Sequence, residues 1–176
     1  MVIRNLILIA LVLFAGSCCG EKELHELSMS KTPYTGNELR IDGYYFSNQT
    51  APKDINIAVF YEDGVCIHLF AEMTSQDTFS FIENKILLDE PFLSRLWNTP
   101  TDVGVFKIEG ESIEIESWMA AYDITTLSFY GEILNDTTFI ISKWTDNEQG
   151  ESHSVEWTYR FRQFSPKPDS TNNYIK

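Results

Sequence analysis

The chain has 176 residues, 43% of them hydrophobic and 14% aromatic, enough apolar material for one packed domain but too short for two. A net charge of −13 repels phosphate backbones and anionic head groups, which disfavours nucleic-acid binding and provides no basic patch for holding a membrane. Of the three cysteines, Cys19 and Cys66 could pair in an oxidising compartment, but Cys66 lies in the apolar run Val65 to Phe70 and reads as a buried small hydrophobe. His25, His68 and His153 stand too far apart for metal-ligand spacing, so no metal or other cofactor is expected.

The N-terminus reads as an export signal. Arg4 supplies a positive start, and Leu6 to Phe14 form an apolar run too short to span a bilayer. Ala15-Gly16-Ser17 then leads straight into Cys18. This layout resembles the lipobox of bacterial lipoproteins. The resemblance implies a signal peptide at residues 1–17, acylation of Cys18 and attachment to a membrane through the acyl chains. The second mature residue would be Cys19 and not the aspartate that retains lipoproteins in the inner membrane, so the implied location is the cell envelope, at the outer membrane. The mature chain then has 12 basic against 26 acidic side chains, a net charge of −14. Residues 18–36 are polar and end in Pro33-Tyr34-Thr35-Gly36, which reads as a flexible tether. Their start, Cys19-Gly20-Glu21-Lys22-Glu23, is similar to the acidic export signals of Bacteroidetes surface lipoproteins, and the whole chain resembles lipoproteins of that group.

From Leu39 onward the apolar period is two. Strands are expected at residues 39–46, 54–61 and 65–73, the last two joined by Glu62-Asp63-Gly64, a strong hairpin signal. Further strands follow at 103–109 and 112–118 around Gly110, at 125–134 and 137–145 around Asn135-Asp136, and at 154–164. Residues 78–98 break the pattern. Phe79, Ile82, Ile86 and Leu87 take helical spacing after Ser75-Gln76-Asp77, which reads as a cap, and Pro91 opens a second short helix with Phe92, Leu93, Leu96 and Trp97. The stretch 165–176, with two prolines, reads as a disordered tail.

About eight strands joined mostly by tight hairpins predict an all-β domain over residues 37–164 with a short helical insertion. The expected architecture is an up-and-down antiparallel barrel or a strongly curled sheet, with a two-sheet sandwich as the rival. The arrangement resembles the lipocalin-like (calycin) barrels over residues 39–164. Gly43-Tyr44-Tyr45 stands where that family has Gly-x-Trp on its first strand, and Arg160 or Arg162 where it has a last-strand arginine packed across the tryptophan. The family's helix follows the barrel, whereas here it interrupts it. The resemblance implies a cup for an apolar ligand.

Val155, Trp157, Tyr159 and Phe161 share one strand face and, with Tyr45 and Phe129, form the candidate ligand surface; Tyr45, Phe129, Trp157, Tyr159 and Phe161 are its binding residues. Glu109, Glu111, Glu114 and Glu116 read as the solvated face of a strand, with a weak cation site or a paired-carboxylate centre as the alternatives. Cys66 and His68 share a strand face, but about 6.6 Å along a strand is poor geometry for a proton relay. Asp136-Thr137-Thr138 and Asp169-Ser170-Thr171 resemble O-glycosylation acceptors. No acid, base or nucleophile converges, so no catalytic residue is assigned and the chain reads as a non-enzyme. The expected function is a lipid-anchored binding module for a small apolar ligand. The alternatives are an envelope accessory protein that docks on a protein partner through residues 78–98, and a hydrolytic enzyme.

Overall fold

Strict alternation of inward and outward side chains carries the chain through eight antiparallel strands that close on themselves. In the computed structural model, residues 24–48, 53–74, 77–120 and 124–176 are described. The expected signal peptide, Cys18 and Cys19 lie outside them. The strands are β1 (Gly43–Ser47), β2 (Asp54–Phe60), β3 (Val65–Glu72), β4 (Val103–Glu109), β5 (Ser112–Ala120), β6 (Ile124–Asn135), β7 (Thr138–Asp146) and β8 (Ser152–Gln163). Each pairs with the next in sequence, and β1 pairs with β8 through Tyr45 opposite Phe161, so the architecture is a closed up-and-down barrel without free edges. Neither the curled sheet nor the sandwich forms. The turns behave as their residues require: Gly64 and Gly110 take φ of +87° and +62°, open to glycine at little cost. At Gly64 a side chain has no room either, since a Cβ there would lie 2.2 Å from the Thr32 carbonyl oxygen.

The barrel has two apolar cores, and alternation along β2 and β3 assigns residues to each. Ala58, Phe60 and Cys66 face inward with Tyr45, Phe106, Ile115, Phe129, Phe139 and Tyr159. Ile55, Ile57, Ile67 and Leu69 face outward and are nonetheless buried. Their cover is the insertion between β3 and β4: α1 (Thr78–Ile82), a π-helical turn (Glu83–Leu87) and α2 (Glu90–Asn98). Asp77 caps α1, accepting from Phe79 N and Ser80 N at 3.1 Å, and Asp89 caps α2, accepting from Phe92 N at 3.0 Å. The insertion lays Phe81, Ile82, Ile86, Leu87 and Leu96 on the outward apolar face. Each such side chain contributes about 1.5–3 kcal/mol on burial, so the insertion supplies a second core for strands whose outer face is too apolar for water. Arg162 on β8 fixes its far side, donating to Glu83 Oε1 at 2.7 Å while its guanidinium lies 4.0 Å over the Phe79 ring.

Two expectations about the ends of the chain need correction. Residues 39–42 are not strand: Leu39 is buried under the barrel and Arg40 N donates to the Asp136 carbonyl, because the chain crosses the closed end before turning up into β1. The stretch 165–176 is laid on the barrel. Lys167 Nζ donates to the carbonyls of Ile41 and Phe60, Pro168 is buried, and Tyr174 donates to the Asn98 carbonyl at 2.7 Å. The lysine replaces lost hydration with carbonyl oxygens, which its prolines did not foretell. Within the expected tether, residues 24–36 also make specific contacts with the barrel.

Candidate functional site

Up-and-down connectivity separates the two ends of the barrel by kind. Tight turns at 61–64, 110–111 and 136–137 gather at one end, together with residues 34–42. The insertion and the β7–β8 connection lie at the other, with the C-terminal ends of β1 and β5.

The first end is sealed by rings. Tyr45 packs on Phe60, Phe139 and Phe161 with centroids 5.2 to 5.6 Å apart, and Phe60 lies 4.7 Å from Phe106. The Tyr45 hydroxyl donates to the carbonyls of Arg40 and Asp136, at 3.0 and 2.8 Å, tying the plug to the crossing segment. Above the plug, Tyr159 stacks on Phe139 at 4.6 Å.

Over that floor the inward face turns polar. Ser47, Asn56, His68 and Tyr159 are each 0–1% exposed. Asn56 shares its face of β2 with Ala58 and Phe60, and pairs across to Ser47 on β1 and Phe70 on β3. His68 Nε2 lies 3.0 Å from the Tyr159 hydroxyl, and its ring stands edge-on to Phe129 at 4.4 Å. The remaining groups are short of partners. Ser47 Oγ, both amide atoms of Asn56 and His68 Nδ1 are buried without a hydrogen bond. The Asn56 amide lies near enough to Tyr159 to favour its ionised form slightly, but burial dominates and drives the phenol upward. Burial also pulls His68 down to about 3, so it is neutral at ordinary pH. An unpaired buried polar atom costs about 1–3 kcal/mol, so four on one inward layer mark a place where stability has been given up.

Beside this layer the end is aromatic, and one of its rings reaches solvent. Phe70 occupies an inward strand position yet is 38% exposed. It lies 5.4 Å from the half-buried Trp157 and 6.0 Å from Phe129. Leu127, Trp144 and Val155 are partly buried inward neighbours. The barrel is thus filled by rings at one end, and at the other an aromatic rim, here termed the cup, adjoins a buried polar layer.

The sequence-predicted ligand residues divide between these regions. Phe129, Trp157 and Tyr159 stand at the cup, while Tyr45 and Phe161 belong to the sealed plug. Asn56, Ser47 and Phe70 were not singled out from sequence; the available signal was an asparagine on the inward face of an otherwise apolar strand. Arg160 and Arg162 point outward, and the guanidinium over the plug is that of Arg40, 4.5 Å from the Phe161 ring. Cys66 and His68 share the inward face as expected. His68 is engaged by Tyr159, however, and burial pushes the Cys66 thiol up, so the pair forms no activated nucleophile.

The acidic run does not form one solvated face. Glu109 and Glu111 are exposed, but Glu116 is 1% exposed on the outside of β5. Its carboxylate accepts from Ser28 N at 2.9 Å, Ser28 Oγ at 3.0 Å, Met29 N at 2.6 Å and Asn147 Nδ2 at 3.1 Å. It is a latch for the N-terminal segment. No group of three potential ligands is arranged to hold a metal ion among the described residues.

Compared with known proteins, the chain matches no family model, no curated sequence and no solved structure.

Proposed function

We propose that this chain is a lipid-anchored protein of the cell envelope whose barrel takes up a small amphiphile at its open end. The observation that carries the reading is the inward, 38% exposed Phe70 beside Trp157 and Phe129, opposite Asn56, one of the buried polar residues that lack partners. A barrel selected only for stability would fill that end with paired or aliphatic side chains. No helix among the described residues is long and apolar enough to cross a membrane, a statement that does not bear on strands. Attachment is assigned to acyl chains on Cys18, more than one of which gives stable anchoring where a single chain is marginal. The implied site is the outer membrane.

A ligand-free accessory protein docking through the insertion is less well supported. Phe92 and Trp97 are half-buried against the outer core, and the exposed Phe79 leans on Phe46 at 5.3 Å. That leaves Leu88, 47% exposed, as a single apolar side chain, which needs no partner to explain it.

Tryptophan emission tests the ligand reading. Titration with long-chain amphiphiles should give a saturable change that Trp157→Phe abolishes. No saturable change with any amphiphile would sink it. Labelled palmitate should enter the wild type and not Cys18→Ala; equal incorporation would move the acyl site elsewhere.

A further inference from the structure

The chemistry of the cup floor specifies more than apolarity. We infer that the cup selects an amphiphile whose polar end is uncharged and both donates and accepts hydrogen bonds, such as a long-chain primary amide, alcohol or monoacylglycerol. This inference rests on the ligand reading above and narrows it.

The unpaired groups form a mixed set. Asn56 offers two N–H donors and a carbonyl acceptor, and Ser47 a hydroxyl that does either. His68 adapts as well. If the Tyr159 hydroxyl donates to Nε2, then Nδ1 carries the proton and donates; in the other tautomer Nδ1 accepts. A head group with both functions satisfies more of this set than a pure donor or a pure acceptor.

The charge pattern argues the same way. Among the described residues, no lysine or arginine occupies an inward strand position. Lys143 lies over the outward Tyr130 ring, and Arg162 over Phe79. The acidic side chains at inward positions near the rim are Asp54 and Glu72, directly opposite each other on β2 and β3 and both exposed, and Asp146 at the end of β7, opposite Leu127. A carboxylate drawn to the floor would pass these three acids and lose its water with no cation to replace it. His68, neutral in this layer, supplies none at ordinary pH. An ammonium head would be drawn to the rim but would meet only neutral dipoles at the floor. Partly exposed Phe70 and Trp157 would hold the chain above.

The test is a competition series on the full-length protein at neutral pH, read by tryptophan emission, with ligands of one chain length that differ only in the head. Primary amide and alcohol should bind about tenfold or more tighter than the carboxylate, the ammonium or the plain alkane, the ratio expected for one or two satisfied buried hydrogen bonds. Asn56→Leu should remove about that factor for the amide and leave the alkane unchanged, while raising the melting temperature, because an orphaned amide has gone. Ser47→Ala provides a smaller second truncation with the same expected pattern. Carboxylate or ammonium binding at parity with the amide overturns the head-group inference and leaves the ligand reading standing. Unchanged amide affinity in both variants does the same, and points to water as the partner of the polar layer. Failure of every ligand, the alkane included, overturns both.

Discussion

His68 and Asp102 are joined by a backbone hydrogen bond, His68 N to Asp102 O at 3.0 Å, and burial moves their side chains in opposite senses. The histidine falls from 6.5 to about 3 and the aspartate rises from 3.8 to about 6. The unfolded chain therefore takes up a proton on His68 below about pH 6.5 that the folded barrel refuses until about pH 3, so this contribution is complete above 6.5 and lost on acidification. Asp102 works the other way. The folded state keeps its proton up to about pH 6 and the unfolded state only to 3.8, so this contribution is complete in acid and lost as pH rises. Between about pH 4 and 6 the two slopes oppose each other, and wild-type stability should be nearly flat with respect to this pair. Asp102→Asn leaves His68 unopposed, and asparagine tolerates the φ of +62° at that position. The variant should lose stability on acidification more steeply than the wild type, by up to about 1.4 kcal/mol per pH unit. Urea titrations across this window measure the difference; parallel pH profiles would refute the opposition.

The N-terminal segment is held to the barrel at successive points. The Trp118 indole donates to the His25 carbonyl at 2.6 Å, Ser28 and Met29 close on Glu116, Thr32 lies against Gly64, and Tyr34 N donates to the Glu62 carbonyl at 2.9 Å. Glu116 is the strongest of these points because it is charged, buried and multiply bonded. Glu116→Ala leaves the Ser28 and Met29 amides without their acceptor and should cost about 2–4 kcal/mol. Limited proteolysis should then cut among residues 24–33 well before the barrel unfolds. Cleavage at the wild-type rate would mean that the latch holds nothing. This element also shows the limit of reading the chain by period. Alternation and turn chemistry report each strand against its neighbour, so the hairpins, the insertion, the stretch that caps it and the barrel were legible. Glu116 alternates with Ile113 and Ile115 as any solvated residue would, and its partners are 87 and 88 positions away in a stretch with no periodicity. The same holds for Lys167 and the tail. The polar floor was half-legible: Asn56 breaks an apolar face in the sequence and pairs with Ser47 on the neighbouring strand, but closure of the barrel is what brings Tyr159 of β8 to this layer.

The course of that segment fixes how an anchored molecule would stand. It starts beside Trp118, near the open end of β5, and runs along the outside of the barrel to Tyr34, against Phe106 at the sealed end. The chain therefore enters from the side of the cup. With acyl chains on Cys18, the stretch to Leu24 reaches at most on the order of 20 Å, less than is needed to turn the barrel over. The open end should face the bilayer, with Leu24, Phe70 and Ile124, each 37–38% exposed, on that side. The sealed end should stand roughly 20–25 Å further out, the height of strands of this length at ordinary barrel tilt. A ligand would then pass between leaflet and cup without crossing much water. Single labels at Glu151→Cys, in the β7–β8 connection, and at Glu111→Cys, in the β4–β5 turn, measure this directly. Both positions are exposed, Cys66 is buried, and Cys19→Ser removes the competing thiol. On acylated protein in phosphatidylcholine vesicles, energy transfer to a head-group acceptor should be much stronger from position 151 than from 111. Protein that fails to float with the vesicles would fault the anchor alone. Equal or reversed transfer from floating protein would fault the orientation, and a ligand would then have to reach the cup through water.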